Sequence, residues 1–477
     1  MTNAAEIFLW GTKIGTVWQP DNNLSAGFEY DKAFLNSGIE VSPFMMPLSG
    51  KLYRFPELSR LDSFHGLPGL LADSLPDKFG NAVINEWLQR HGRNPESFTA
   101  IERLCYTGKR GMGALEFVPS VGPAAGGDVI DVNEMAEFAS EILSGRRNAK
   151  LSDRELSLAK MMEIGSSAGG ARAKAVIAWN PRTGEIRSGQ IEPGEGFRQW
   201  LIKFDGVDEN GDRGVRDSRQ HTRIEYAYYL MATAAGIQMQ ECRLLEKDNR
   251  CHFMTLRYDR KEGDKIHVQT LAALGHFDYN QPQICSYEQY ASFAKRLNPS
   301  LQELKQLYKR AAFNCMAMNC DDHVKNFSFM MDRRGNWKMA PAYDITFAYK
   351  PNHRWIGAHQ MTLNGKSSGI GVEDLLEFGK NIGLSESFCK TSLNEIAGVV
   401  EKWMSFADQC GISEKRATEI GNLLNQTGMG ELPTAYANAL RRGLPASSTT
   451  ALSTIFRNTM SYTMSTGVSS ARSEPTG

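Results

Sequence analysis

The chain has 477 residues, of which 41% are hydrophobic and 23% charged, a composition typical of globular proteins with room for two or three domains. Lysine and arginine together number 54, as do aspartate and glutamate, so no overall basic field favours nucleic acid as the main ligand. No apolar run is long enough to cross a bilayer, so we expect no membrane partner.

The cysteines and the start of the sequence predict a cytoplasmic protein. The eight cysteines are scattered, with no C-x-x-C pair and no histidine at zinc-ligand spacing. We therefore expect free thiols rather than disulfides or a metal site. The first residues also lack the basic start and the apolar core of a signal peptide. Both features fit the reducing cytoplasm.

The first part of the chain predicts a small sheet followed by a helix. Apolar runs and turn residues predict a hairpin over residues 6–19 and a third strand over 24–30. A stripe of apolar residues predicts a helix over 75–91, capped by Ser74 and ended by Gly92. Residues 107–113 are rich in glycine, and we interpret them as a turn before a strand over 114–118. We interpret a second glycine-rich segment, 122–127, as a linker that ends the first domain.

A glycine-rich loop and a strand lysine come next. Residues 166–174 are rich in glycine and run into a strand-like segment at 175–179. Because glycine has no Cβ, the N–H groups of such a loop can approach phosphate oxygens, although the same pattern also fits a simple turn. Lys203 lies in the next predicted strand, 200–204. It is either a lysine that contacts nucleotide phosphates, as in kinases, or an edge-strand lysine that faces water.

A helix predicted over 222–235, ended by Gly236, carries Glu225 in its first turn. In kinases a helix glutamate pairs with the strand lysine, so Glu225 is a candidate partner of Lys203. A glutamate at this position is also a common partner of the helix dipole.

The most informative stretch is the crowded polar turn at 319–326, which lies between two apolar runs. Such polar groups are costly to bury unless they are paired or bind a ligand. Asp321 and Asn326 reproduce D-x-x-x-x-N, the catalytic-loop pattern of protein kinases. In that pattern the aspartate accepts the hydroxyl proton and the asparagine holds a magnesium ion.

The elements around this turn follow the order expected for a kinase. A strand over 253–260 leads towards a hinge, and a mostly helical region precedes the turn. A hairpin over 327–339 follows it, and Asp344 comes next as a second candidate magnesium ligand, although an isolated aspartate there is also a common turn former. Further helices are predicted over 396–406 and 415–424, and a poorly packed tail over 446–477.

Five ordered motifs resemble the HipA family of bacterial serine/threonine protein kinases, which act as toxins of type II toxin–antitoxin pairs. They are Ser-Ser-Ala-Gly-Gly-Ala-Arg-Ala-Lys (166–174), Trp-Leu-Ile-Lys-Phe (200–204), Arg-Tyr-Asp-Arg (257–260), Asn-Cys-Asp-Asp-His-Val-Lys-Asn-Phe-Ser (319–328) and Ala-Pro-Ala-Tyr-Asp-Ile (340–345). Leu-Leu-Ala-Asp-Ser-Leu-Pro-Asp (70–77) also resembles the N-terminal domain of that family. The resemblance covers roughly residues 5–405.

The resemblance implies an α+β, two-lobed, protein-kinase-like fold with an N-terminal α/β subdomain and a largely helical C-lobe. It implies a family N-terminal domain at 1–121, a nucleotide-binding N-lobe at 122–260 and a C-lobe at 261–445, followed by the tail.

The resemblance also implies ATP and Mg²⁺ as cofactors, with Asp321 as the catalytic base and with Asn326 and Asp344 as metal ligands. The residues expected at the nucleotide are Gly169, Gly170, Ala171, Arg172, Ala173, Lys174, Lys203, Leu256, Arg257, Tyr258, His323, Lys325, Asn326, Tyr343 and Asp344. Ser167 matches the loop serine that family members autophosphorylate, which switches the kinase off, and Ser166 is an alternative by one residue.

The expected partners are a small helix-turn-helix antitoxin of the HipB type, DNA contacted mainly through that antitoxin, and a protein substrate, with an aminoacyl-tRNA synthetase as the family precedent. Two other readings stay open, namely a small-molecule kinase and a non-catalytic pseudokinase that only binds its antitoxin and DNA. Asp322 stands where some family members have glycine, and it has no assigned role.

Overall fold

The computed structural model describes residues 3–20, 24–121, 129–144, 154–165, 172–190, 194–207, 211–212, 215–216, 220–261 and 263–426. The predicted linker, the glycine-rich loop up to Ala171 and the predicted tail lie outside these ranges.

The N-terminal part is built on an antiparallel five-stranded sheet with the order β4-β3-β2-β1-β5. Its strands are β1 (Ala4–Leu9), β2 (Thr12–Trp18), β3 (Gly27–Tyr30), β4 (Tyr53–Arg54) and β5 (Leu115–Val118), and helices α1 (Gly69–Ala72), α2 (Lys78–Arg90) and α3 (Ala100–Thr107) lie between β4 and β5. The predicted hairpin is confirmed as β1 and β2. The third strand begins later than predicted, because the N–H of Ala26 donates to the carbonyl of Gly66 instead of to a neighbouring strand.

Ser74 does not cap α2, so that prediction was wrong. The cap is Asp77, whose backbone is extended and whose Oδ1 accepts the N–H of Gly80 at 2.7 Å. Ser74 and Leu75 instead continue the turn after α1, with their N–H groups donating to carbonyls of that helix. Pro76 has no N–H to extend the pattern, so α2 starts only after Asp77.

The middle of the chain forms a second antiparallel five-stranded sheet, with the order β11-β12-β8-β6-β7. Its strands are β6 (Lys174–Trp179), β7 (Ile186–Ser188), β8 (Arg198–Lys203), β11 (Cys242–Lys247) and β12 (Arg250–Leu256). A two-stranded ribbon comes between, β9 (Gly211–Asp212) and β10 (Val215–Arg216), and the helices of this part are α4 (Val132–Ser144), α5 (Arg154–Ile164) and α6 (His221–Ala234). The strand predicted over 200–204 and the helix predicted over 222–235 are confirmed as β8 and α6.

Helix α2 shares a hydrophobic core with this second sheet, although it belongs to the N-terminal part of the chain. The fully buried members of that core include Phe79, Val83, Ile84 and Leu88 of α2, Met135 and Phe138 of α4, Met161 of α5, and Ile202 of β8. This packing holds the start of α2 in a defined position relative to the strands of the sheet.

The rest of the chain is mostly helical. A ribbon, β13 (Arg260–Lys261) and β14 (Asp264–Lys265), leads to a three-stranded sheet with the order β15-β16-β17, formed by β15 (His267–Thr270), β16 (Ser328–Met331) and β17 (Trp337–Met339). The helices are α7 (Leu271–Gly275), α8 (Tyr287–Arg296), α9 (Leu301–Met316), α10 (Val372–Asn381), α11 (Glu386–Val400), α12 (Trp403–Gln409) and α13 (Glu414–Gln426). The hairpin predicted over 327–339 is confirmed as β16 and β17.

All eight cysteines fall in the described ranges, and they are buried free thiols, as the sequence predicted. Among the described helices, none combines the length and the apolar character that a bilayer crossing requires.

Candidate active site

Strand β8 and helix α6 bring Lys203 and Glu225 together. Lys203 lies at the end of β8, between β6 and β12, and Glu225 lies in the first turns of α6. The ammonium Nζ of Lys203 is 2.6 Å from Oε1 of Glu225, and the two side chains are 6% and 3% exposed. The arrangement matches the lysine–glutamate pair that kinases use to hold a lysine at the nucleotide phosphates.

Asp344 forms a second ion pair with Lys203. Burial raises the pKa of Asp344, but the charges of Lys203 and Lys174 outweigh that effect and hold its pKa below the usual range. Burial likewise lowers the pKa of Lys203, and the carboxylates of Asp344 and Glu225 outweigh it, so that its pKa is raised. Asp344 has a φ of +56°, a left-handed conformation that aspartate tolerates better than most residues.

The crowded polar turn forms a compact loop after α9. A single 3-10 turn at Val324–Asn326 closes it, and the buried Val324 packs into the core below. The side-chain amide of Asn326 donates to the backbone carbonyl of Asp321 at 2.8 Å. The two residues of the D-x-x-x-x-N pattern are therefore directly linked, and each is half-buried.

Asp322 points into the protein instead of into the site. Its carboxylate is fully buried and accepts three hydrogen bonds, from Tyr287 Oη at 2.7 Å, from the N–H of Gln360 at 2.7 Å and from Nδ1 of His359 at 3.0 Å. Burial lowers the pKa of His359, but the charge of Asp322 outweighs it and raises that pKa well above its ordinary value. Asp322 thus anchors the loop to α8 and to the segment at 359–363.

Tyr343 and Tyr258 form a stacked pair at the junction of the hinge and the segment that carries Asp344. Their ring centroids are 5.7 Å apart with an interplanar angle of 22°. The hydroxyl of Tyr343 donates to the carbonyl of Lys325 at 2.7 Å and bonds with Ser328 Oγ. Tyr343 therefore connects the hinge, which its ring contacts, to the polar turn, to which its hydroxyl bonds.

The two other side chains expected at the nucleotide lie beside Tyr279. The ammonium of Lys325 is 4.8 Å from the centroid of the Tyr279 ring, and the His323 ring is 6.1 Å from it. Burial raises the pKa values of two carboxyls in the N-terminal part, Asp73 and Asp77, and the nearby charge of Lys325 opposes that rise without cancelling it.

The hinge segment is fixed by a buried cluster that the sequence did not predict. Arg257 donates two hydrogen bonds to Asp259, at 2.9 and 2.6 Å, and both side chains are buried. Asp259 also accepts from Arg260 and from the N–H of Gly113 in the N-terminal part. Two guanidinium nitrogens of Arg257, Nε and Nη2, are therefore bonded, whereas Nη1 is buried without a hydrogen bond within the described residues. In the backbone of the hinge, the N–H groups of Leu256 and Arg257 donate to the carbonyls of Glu241 and Gln199.

Only the last three residues of the glycine-rich loop lie in the described ranges. Ala173 accepts the N–H of Phe204 at 3.1 Å, the charge of Arg172 contributes to the low pKa of Asp344, and Lys174 is buried beside Lys203. The expected nucleotide residues Gly169, Gly170 and Ala171, and the serines Ser166 and Ser167, lie outside those ranges.

The residues expected to hold magnesium are one carboxylate and one amide, Asp344 and Asn326. This set suits a cation that takes one or two carboxylates and completes its shell with phosphates and water. No group of three or more histidine, cysteine, aspartate or glutamate side chains poised for a metal occurs within the described ranges. One carboxylate and one amide leave most of the coordination shell to other ligands, which suits a metal brought with a nucleotide.

Comparisons with known proteins give a consistent result. The family model of the HipA-like C-terminal domain matches residues 166–424, and that of the HipA N-terminal domain matches residues 5–118. A Haemophilus influenzae protein named "Putative kinase" is 24% identical over 228 residues. The match covers 40% of this chain and 66% of that protein, so this chain spans slightly less than two thirds of the relative's length. The HipA of Shewanella oneidensis MR-1, solved in a complex with HipB and operator DNA, superposes with a TM-score of 0.61 at 16% identity, covering 89% of this chain and 95% of that one. The superposition shows a shared fold.

Proposed function

This chain belongs to the HipA family, and from that membership we propose that it is an ATP- and magnesium-dependent serine/threonine protein kinase that acts as the toxin of a toxin–antitoxin pair. The observation that carries the proposal is the contact of the buried Lys203 with both Glu225 and Asp344. Burying charged groups costs solvation energy, so stability alone does not explain why two carboxylates contact one buried lysine.

In this proposal Asp321 is the catalytic base. It accepts the proton of the substrate hydroxyl while that oxygen bonds to the γ-phosphorus and the bond to the oxygen of the leaving ADP breaks. Lys203, supported by Glu225, holds the phosphates in line. Magnesium held by Asn326 and Asp344 would neutralise charge on the transferring group. Phosphoryl transfer needs mostly positioning and charge stabilisation, so this small set of residues is sufficient.

The remaining residues position the nucleotide. The backbone of the hinge, Leu256–Tyr258, meets the adenine edge through groups other than the already bonded N–H groups of Leu256 and Arg257. Gly169–Lys174 cover the phosphates together with His323 and Lys325. Tyr343 supports them by its stacking on Tyr258. Autophosphorylation is assigned to Ser167, with Ser166 as the neighbouring alternative, and a mass spectrum of the active protein tests it by locating the phosphate.

The proposed partner is a small helix-turn-helix antitoxin, and HipB is the protein found with the Shewanella HipA in its complex. In this proposal the chain acts in the cytoplasm and contacts DNA mainly through the antitoxin. The protein substrate belongs to the translation machinery by family precedent, and an aminoacyl-tRNA synthetase is the first candidate to test.

Transfer of label from γ-labelled ATP tests the function against its alternatives. The proposal expects label on protein when the purified chain is added to a cell extract. Label on metabolites alone would favour a small-molecule kinase, and an absence of ATP turnover would favour a pseudokinase.

A further inference from the structure

We propose that Asp77, from the N-terminal part of the chain, is a positioning residue of the active site that holds Lys174 in place at the end of the glycine-rich loop. The inference rests on the kinase function proposed above, and it adds a residue from outside the matched C-terminal domain to the machinery.

Asp77 uses its two carboxylate oxygens differently. Oδ1 accepts the N–H of Gly80 and caps α2. Oδ2 is buried and accepts no hydrogen bond within the described part of the chain. It lies 3.9 Å from Nζ of Lys174, and the two side chains are only 6% and 4% exposed. A helix cap alone needs one oxygen and no charge, so the cap does not explain why a carboxylate is buried here.

Lys174 needs an anionic neighbour because it is paired with another lysine. Lys174 of β6 lies directly opposite Lys203 of β8 in the sheet register, and both are buried. Like charges in directly opposed cross-strand positions destabilise a sheet. Lys203 has Glu225 and Asp344 as partners, and Asp77 supplies the matching carboxylate for Lys174.

The result is a set of charges that joins the N-terminal part to helix α6. The carboxylate of Asp77 lies beside the ammonium of Lys174, and the carboxylates of Glu225 and Asp344 lie beside the ammonium of Lys203. Asp77 thereby gives Lys174 an anionic neighbour other than the two carboxylates that pair with Lys203, one of which, Asp344, is the proposed magnesium ligand. The packing of α2 against the second sheet fixes the position of Asp77.

The variant Asp77→Asn removes the negative charge but keeps the helix cap, because asparagine caps a helix about as well as aspartate. We expect kcat/KM for ATP to fall by about tenfold or more, with most of the change in KM, because Lys174 acts on the bound phosphates. Glu86→Gln removes a carboxylate from the exposed side of the same helix, where it pairs only with Arg90 among the described contacts, and it should keep the wild-type constants.

A double-mutant cycle with Lys174→Met shows whether Asp77 acts through Lys174. The double variant contains neither charge of this ion pair. We expect Asp77→Asn to change kcat/KM by less than about twofold in the Lys174→Met background. An equal loss in both backgrounds, or wild-type constants for Asp77→Asn alone, would overturn the inference while leaving the kinase function intact. A wild-type chain without ATP turnover would overturn both.

Discussion

Asp322 and His359 form a buried ion pair, with Nδ1 of the imidazole 3.0 Å from a carboxylate oxygen. Asp322 follows the proposed catalytic base directly in sequence, yet its side chain faces the core and is fully buried. Tyr287 of α8 and the backbone of Gln360 bind the same carboxylate. The pair therefore anchors the polar turn to the core, while Asp321 beside it stays half-buried.

The first prediction concerns Asp322→Asn. We expect the free energy of unfolding to fall by about 3–5 kcal/mol, because the variant leaves the buried His359 cation without its counter-charge. Denaturation with urea measures the change. Asp264→Asn is the matched control, since it breaks an ion pair with Arg333 in which both side chains are more than half exposed and which contributes at most about 1 kcal/mol. Equal stabilities of the two variants would contradict this role of Asp322.

The second prediction concerns Glu225→Gln. The substitution keeps the shape of the side chain but leaves Lys203 paired with Asp344 alone, so the lysine should shift towards the metal ligand. We expect kcat to fall about a hundredfold, because the lysine–glutamate pair must be in place for phosphoryl transfer. Steady-state kinetics with ATP measure the effect. Glu246→Gln, which removes an exposed carboxylate that contacts Arg223 of α6, should leave kcat unchanged, and an unchanged kcat in Glu225→Gln would refute the prediction.

The third prediction concerns the pH dependence of stability through His252. Its Nδ1 accepts the N–H of Asp205 at 3.0 Å, its Nε2 contacts Asn133 Oδ1 at 3.0 Å, and the ring is fully buried. Burial lowers the pKa of His252 to about 4. The unfolded chain, with a pKa near 6.5, then binds the proton more strongly, so stability is present above pH 6.5 and is lost as the pH falls towards 4.

At pH 5 this loss amounts to about 2 kcal/mol relative to pH 7. His252→Gln, which cannot take up a proton in this range, should lose about 2 kcal/mol less between the two pH values. Urea denaturation at pH 7 and pH 5 gives the comparison, and His91→Gln at the exposed end of α2 should behave like the wild type. Parallel losses in His252→Gln and the wild type would rule out this role.

Sequence reasoning worked best where the functional signal is local. The D-x-x-x-x-N spacing lies within one turn, and the structure links its two ends by a hydrogen bond between Asn326 and Asp321. The partnership of Lys203 and Glu225 was a candidate because kinases place these residues on adjacent elements in a fixed order. The structure then brings them to 2.6 Å.

Contacts that depend on distant parts of the chain could not be read from the pattern. Asp322 lies inside the recognised motif, but its partner His359 is 37 residues away along the chain. The sequence around His359 contains no motif that would have predicted this contact. Asp77 lay inside a quoted motif as well, yet the pattern assigned the helix cap to Ser74. Only packing of α2 against the second sheet places Asp77 beside Lys174.

The measurement that tests the central claim most directly is transfer of the γ-phosphoryl group to protein by the wild type, Asp321→Asn and Asp344→Asn, with Asp332→Asn in the exposed hairpin turn as the matched control. We predict transfer by the wild type and by Asp332→Asn, and its loss in the other two variants, together with any arrest of growth on expression. Transfer retained in both Asp321→Asn and Asp344→Asn would contradict the assignment of this site.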